Sequence, residues 1–299
     1  MGVGQTPAAF KASIEARLKK AIDPARGRDL HRLRVLIVME RFIARVNHVL
    51  PETTVLKGGL ALELRLDQAR TTKDLDLRVL GSPLHFDDQL RAIESHRPDP
   101  DDHFQFAIRP DPVHPTITGD GVKYDGYRYK VKTTLAGKTY VDFGLDVAFG
   151  DPILGEPELL HGSDFFEKYE IPAITVRTYP VPSHLAEKLH AYTLPRDRVN
   201  MRMKDLVDMP LIAQALEGVT AETLRSAFQL TFDHRASHAL PGALPPPPPQ
   251  WLGPYDRLRD SERLAWATLD DLHAAAARLV DPVLWGDAGT WSHDAGWQS

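Results

Sequence analysis

The segment Val55-Leu56-Lys57-Gly58-Gly59, continued through Arg70-Thr71-Thr72-Lys73-Asp74-Leu75-Asp76-Leu77-Arg78-Val79, constrains this chain more than any other. A short apolar run ends at two glycines, Leu60, Ala61 and Leu64 follow at helical spacing, and two acids then alternate with leucines up to Val79. The pattern predicts strand, glycine turn, helix, strand. On the second strand the period of two sets Asp74 and Asp76 on one face and Leu75, Leu77 and Val79 on the other. Two carboxylates about 7 Å apart on a rigid strand can share or bridge divalent cations, and bare backbone N–H groups at a helix start suit a phosphate. Each half also has a plain structural reading, since polar residues commonly line the outer face of a half-exposed strand and Gly-Gly is often only a turn. Together, at a spacing one helix can bridge, they point to chemistry on a nucleoside triphosphate.

The words LKGGLALELRL and RTTKDLDLRV resemble the AbiEii/AbiGii toxin family of nucleotidyltransferases, within the DNA polymerase beta superfamily. Gly59 stands where the superfamily commonly has serine, and fourteen residues separate it from Asp74, a longer interval than the commonest form. Both departures are usual in the AbiEii branch, and they argue against an ordinary polymerase.

A chain of 299 residues can bury a large core, and two domains are a reasonable expectation. With 42% hydrophobic and 26% charged residues the composition is that of an ordinary soluble protein. No apolar run reaches membrane-spanning length, and Met1 to Pro7 lead directly into a charged amphipathic segment without a signal peptide, so the expected location is the cytoplasm. The absence of cysteine excludes disulfides, thiolate zinc sites and cysteine nucleophiles. A net charge of -5 means that any contact with RNA must come from a local basic patch.

Phe10, Ile14, Leu18 and Ile22 recur at helical steps, and a longer helix is expected over residues 29 to 49, ended by Pro51. Gly81 to Pro115 is rich in Pro, Asp and His and reads as loop. His85, His96, His103 and His114 lie there without metal-ligand spacing and are expected to be solvated. Residues 127 to 135 and 138 to 149 both alternate strictly around Ala136-Gly137, the pattern of a β-hairpin. Its second arm directs Val141, Phe143, Leu145 and Val147 one way and Asp142 and Asp146 the other. GLDVAFGD resembles the family segment that carries a third metal carboxylate, a role that falls on Asp146, with Asp142 as the weaker alternative. Arg128, Lys130 and Lys132 form a basic stripe on the first arm, which reads equally as a solvated edge strand or as RNA backbone contact. A one-residue slip at the turn would put the stripe on the opposite face from the acids.

Prolines 152, 157, 172, 180 and 182 mark a change from strands to helices, so the expected division is a nucleotidyltransferase domain over 1–181 and a helical domain over 182–299. Ser183 is the expected N-cap of a helix over 185 to 193, and Lys188 lies on the border of its apolar face, where a lysine usually snorkels to water. HLAEKLHAYT and RVNMRMKDLVDM resemble two further family blocks. By that resemblance Lys188 binds the triphosphate, with Lys204, Asp205 and Asp208 opposite, and Asp208 joins Lys188 among the catalytic residues. Pro210 is expected to break the helix that follows. Residues 220 to 230 form another helix, Pro245 to Pro249 a stiff spacer, and the apolar residues from Trp251 to Leu279 a closing helix.

The expected architecture is α+β, a mixed-sheet nucleotidyltransferase fold followed by helices, with a cleft between them. The resemblance implies that Asp74, Asp76 and Asp146 hold two Mg²⁺ ions and that Gly58 and Gly59 cradle the phosphates of an NTP. Arg70 and Lys73 flank the acids as phosphate contacts or solvated charges. It further implies a toxin that attaches nucleotides to RNA, foremost the tRNA 3′ end, with a separately encoded antitoxin as partner. Transfer to a small molecule or protein, or a catalytically silent nucleotide- or RNA-binding module, are the alternatives.

Overall fold

The structure, a computed structural model, describes residues 6–24, 28–66, 69–81, 84, 86–117, 126–150, 152–196, 200, 202–286 and 289–298. His85 lies outside them. Helix α1 (Pro7–Lys20) starts at Thr6, whose hydroxyl accepts the Ala9 N–H at 3.3 Å, and Pro7 stands where no helical N–H is needed. Asp29 caps α2 (Leu30–Val49) by accepting the Arg32 N–H at 2.7 Å. Strand β1 (Thr54–Lys57) runs straight into α3 (Gly58–Arg65), and β2 (Asp74–Val79) follows. Then come α4 (Phe86–Ser95), β3 (Phe104–Pro110), β4 (Gly126–Leu135), β5 (Lys138–Phe149), β6 (Glu158–His161) and β7 (Thr175–Thr178). Helices α5 (Val181–Thr193), α6 (Met203–Ile212), α7 (Ala221–Arg235), α8 (Leu252–Glu262) and α9 (Leu269–Trp285) complete the body, and β8 (Thr290–Ser292) with β9 (Gly296–Gln298) forms a terminal hairpin.

The main sheet has seven strands in the order β3-β4-β5-β2-β1-β7-β6. β2 with β5 and β1 with β7 are parallel pairs, and the remaining neighbours are antiparallel. The fold is α+β, as the strand and helix patterning predicts. One core joins α1, α2 and the sheet, and a second joins α5 to α9. Helix α3 bridges them, because Leu60 and Ala61 enter the first core while Leu62 enters the second. In the first core Arg45 and Asp102 are both fully buried and joined by two hydrogen bonds of 2.8 and 2.7 Å, so each charge is compensated out of water.

Several local expectations are corrected. Residues 81 to 115 contain α4 and β3, with Phe86, Leu90 and Ile93 buried from the helix and Phe104, Phe106 and Ile108 from the strand. Ser183 lies inside α5, where its hydroxyl accepts the Leu154 N–H at 2.9 Å, and Pro180 occupies the cap position. Helix α6 continues through Pro210, which sits in its last turn where only one upstream carbonyl loses its donor, and a single 3₁₀ turn follows. The closing segment is two helices, since Thr268 and Asp271 form a capping box that starts α9 afresh. Among the described residues no helix is long and apolar enough to cross a membrane.

Candidate active site

Register in the sheet decides which acids meet. Asp76 stands beside Asp146 on the parallel β2–β5 pair, and Asp74 stands beside Gly144. Two glycines then make room for carboxylates. A Cβ on Gly144 would lie 2.3 Å from Asp74 Oδ1, and one on Gly58 would lie 1.9 Å from Asp76 Oδ2. Gly58 also has φ +68°, a conformation that costs other residues strain. Gly58→Ala is therefore expected to destabilise the protein by about 1 to 2 kcal/mol and to displace the Asp76 carboxylate, read out as a lower melting temperature with lost transfer activity.

Asp74, Asp76 and Asp146 line one wall of a cleft of about 420 Å³. Burial and the neighbouring Asp146 carboxylate push Asp76 up to about 7, against the pull of Lys57 and Lys188. Asp142 is exposed on the strand surface away from the cleft, in register with Lys132, where its carboxylate accepts the Thr133 N–H at 3.3 Å. Asp142→Asn is accordingly expected to leave activity near wild type and stability within about 0.5 kcal/mol, and a dead variant would move the third acid from Asp146 to Asp142.

The hairpin settles where the basic stripe lies. Its turn is two residues long, Ala136 and Gly137 both at positive φ, with Leu135 opposite Lys138. The register then shifts between Lys132 and Thr134, so that Tyr140 and Val141 together oppose Thr133. This bulge moves Arg128 from opposite Leu145 to opposite Asp146 and puts the stripe on the acid face. Arg128 grips Asp146 with Nε–Oδ1 at 2.8 Å and Nη2–Oδ2 at 2.9 Å. Lys130 pairs with Asp111 at 3.2 Å. β4 is no edge strand, since β3 and β5 flank it.

The opposite wall comes from α5, α6 and α7. Lys188 does not snorkel: its Nζ lies 2.9 Å from Asp205 Oδ1 and 2.8 Å from Asp208 Oδ2, largely out of water. Burial alone would depress this ammonium, but Asp205 and Asp208 overturn that and hold its pKa above the usual lysine value. Arg70 closes on the same acid, with Nε and Nη2 at 2.7 and 2.8 Å from the two Asp208 oxygens. Burial would raise the Asp208 carboxyl, and the two cations instead bring it down to about 2. Arg70 is thus a buried tether between the β2 approach and α6, while Lys73 and Lys204 stay exposed at the rim.

The structure brings together Gly58, Gly59, Asp74, Asp76, Asp146, Lys188, Lys204 and Asp205 around one cleft, with Asp208 buried behind Lys188. The histidines of residues 96 to 114 stay apart from it: His96 stacks on His48, His103 packs edge-on against Phe10, and His114 is exposed. Among the described residues no three His, Cys, Asp or Glu side chains are gathered as a ready cation cage.

Sequence patterning missed several lining groups. Glu187 receives Lys57 Nζ at 3.1 Å and Arg235 Nη2 at 3.3 Å. Thr72 fills the space beside Gly59, where a Cβ would meet it at 2.8 Å. His184, one turn before Lys188, is buried with neither ring nitrogen hydrogen-bonded, and burial with the Lys188 charge keeps it neutral. Only the helical spacing of Lys188 from His184 hinted at the last of these.

In its charge the cleft departs from the chain. Its lining carries eight Lys and Arg against five Asp and Glu, within a molecule of net charge -5. Lys57, Arg70, Arg128, Lys188, Arg202 and Arg235 pair with acids in or behind the cleft, while Lys73 and Lys204 stand exposed at its rim.

MenT4, a nucleotidyltransferase toxin from Mycobacterium tuberculosis, is similar in fold, with a TM-score of 0.51, 17% identity, and coverage of 95% of this chain and 99% of that one. A nucleotidyltransferase described as putative and JHP933, both from Helicobacter pylori, align at a TM-score of 0.44 and 18% identity over 83% of this chain, covering 96% and 93% of theirs. No curated protein matches the sequence. Residues 41–285 match the family described as "Nucleotidyl transferase AbiEii toxin, Type IV TA system", a span that includes every residue of the cleft. The chain belongs to the AbiEii family of nucleotidyltransferase toxins.

Proposed function

We propose that this cleft transfers a nucleotide from an NTP to an RNA acceptor, foremost the 3′ end of tRNA, and that a separately encoded antitoxin restrains it in the cytoplasm. The observation that carries the reading is the Asp76–Asp146 pair, two adjacent carboxylates of which one is held up at about 7 by burial and by the other. Hard oxygen donors with excess negative charge suit Mg²⁺. Gly144 and Gly58 admit the Asp74 and Asp76 carboxylates where a side chain would clash with them, which keeps both acids in place for it. Asp74, Asp76 and Asp146 would hold two Mg²⁺ ions, whose chemistry there would be to lower the pKa of the acceptor hydroxyl and to compensate charge on the departing pyrophosphate.

The chain's own groups do the positioning. Gly58 and Gly59 open α3 where β1 ends and line the cleft, so their backbone N–H groups would serve as the phosphate donors. Lys188, fixed by Asp205 and Asp208, keeps one immobile positive charge opposite the acids, and Lys204 and Lys73 add mobile ones at the mouth. The catalytic set is Asp74, Asp76, Asp146, Lys188 and Asp208, Asp208 acting by orienting Lys188. We place the division between the nucleotidyltransferase part and the helical part at residue 181, where the second core takes over.

The test is incubation with each labelled nucleoside triphosphate, Mg²⁺ and total RNA. Label in tRNA supports the reading. Label in a protein or small molecule would reassign the acceptor, and no label with any triphosphate would leave a binding module.

A further inference from the structure

We propose that Arg128 is a removable counter-ion of the metal site: its guanidinium and a divalent cation compete for the Asp146 carboxylate, so Arg128 must release Asp146 before the site fills. This rests on the assignment of Asp76 and Asp146 as cation ligands.

Two observations converge on it. Arg128 engages both oxygens of Asp146, a fork geometry that leaves that carboxylate no free face of comparable strength. The contact is built in, because the β5 bulge shifts the hairpin register by one residue and so sets Arg128 directly across from Asp146.

The pair is also releasable. Arg128 keeps 36% of its side chain exposed and Asp146 21%, unlike the fully sequestered Arg45–Asp102 pair, so the guanidinium can swing into the cleft it lines without leaving a charge stranded in the core. Lys130, two residues away on the same face, is engaged with Asp111 outside the cleft and provides the matching control.

A closed fork taxes cation binding by the fraction of time the site is open, so a pair closed nine-tenths of the time weakens apparent affinity about tenfold. The experiment is Mn²⁺ binding by calorimetry, without nucleotide, on wild type, Arg128→Gln, Arg128→Lys, Lys130→Gln and Asp76→Asn, each checked for folding by circular dichroism. Arg128→Gln is expected to bind Mn²⁺ about tenfold more tightly or better, Arg128→Lys to fall between, and Lys130→Gln to match wild type. Unchanged or weaker binding by Arg128→Gln would overturn the proposal, and so would an equal gain in Lys130→Gln, which would be a general charge effect. If wild type and Asp76→Asn bind Mn²⁺ alike, the assignment of the acids as cation ligands has failed instead, and the counter-ion role falls with it.

Discussion

Asp76→Asn is expected to lower nucleotide transfer by about a thousandfold or more while making the metal-free protein more stable at neutral and alkaline pH. The activity loss follows from the proposed role of Asp76 and Asp146 as adjacent cation ligands, of which one is removed. The stability gain follows from the same geometry. Asp76 has its pKa raised in the folded state from 3.8 to about 7, chiefly by burial and then by Asp146. The folded protein therefore holds this proton more tightly than the unfolded chain does. Its contribution is fully present below about pH 4, is lost as pH rises through 7, and changes no further above that. The shift corresponds to about 4 kcal/mol, which the partial opening of Asp76 to the cleft reduces to about 2 kcal/mol. In EDTA, Asp76→Asn should thus melt above wild type at pH 8 and coincide with it near pH 4. A variant that is less stable at pH 8, or one that keeps its activity, contradicts this placement of Asp76.

Lys188→Met is expected to cost both stability and activity. Sequence patterning put Lys188 at a helix border, where losing its charge would change stability little. The structure gives another result, because Nζ bridges Asp205 and the fully buried Asp208. Replacing it leaves Asp208 with Arg70 alone and Asp205 with a 3.7 Å contact to Arg202. The expected loss is about 2 to 3 kcal/mol, below the usual cost of breaking a buried pair because Arg70 stays on Asp208. Transfer per folded molecule should fall about a hundredfold through lost charge compensation. The measurement is incorporation at saturating NTP and Mg²⁺, well below the variant's melting temperature. Near wild-type rates would remove Lys188 from the site and leave it a structural tether.

What the sequence disclosed, and what it hid, follows from the range of the forces involved. The β1-α3-β2 unit and the β4–β5 hairpin were legible because period-two alternation and a two-residue glycine turn are local signals. The α4 and β3 elements were hidden by the prolines and acids around them, although Phe86, Leu90 and Ile93 keep helical spacing and Phe104, Phe106 and Ile108 alternate. Asp74 and Asp76 could be singled out because acids alternating with a leucine row are chemically conspicuous, whereas Asp146 was separated from Asp142 on the same face only by the resemblance of GLDVAFGD to the family segment. The partners of Lys188 could not, since its contact with Asp208 and that of Arg70 with the same acid depend on how α5 and α6 pack. Nor could the pairing of Arg128 with Asp146 be read, because it turns on one bulge that shifts the register without a sequence mark of its own.

The same distinction separates Asp208 from the other acids. Two cations on one buried carboxylate hold it ionised as an anchor, whereas Asp146 is met by the single, partly exposed Arg128 and Asp76 has its pKa raised by burial and by Asp146. The cleft thus contains one buried charge cluster, which positions Lys188, and one acid pair held by a more accessible partner.

The central claim is that the Asp76–Asp146 pair drives metal-dependent nucleotide transfer, and the most direct test is to count pyrophosphate released against nucleotide incorporated, with and without Mg²⁺, for wild type and Asp76→Asn. The account predicts one pyrophosphate per nucleotide for wild type in Mg²⁺, and neither product in EDTA or with Asp76→Asn. Incorporation that persists without a divalent cation, or that survives Asp76→Asn unchanged, would contradict it.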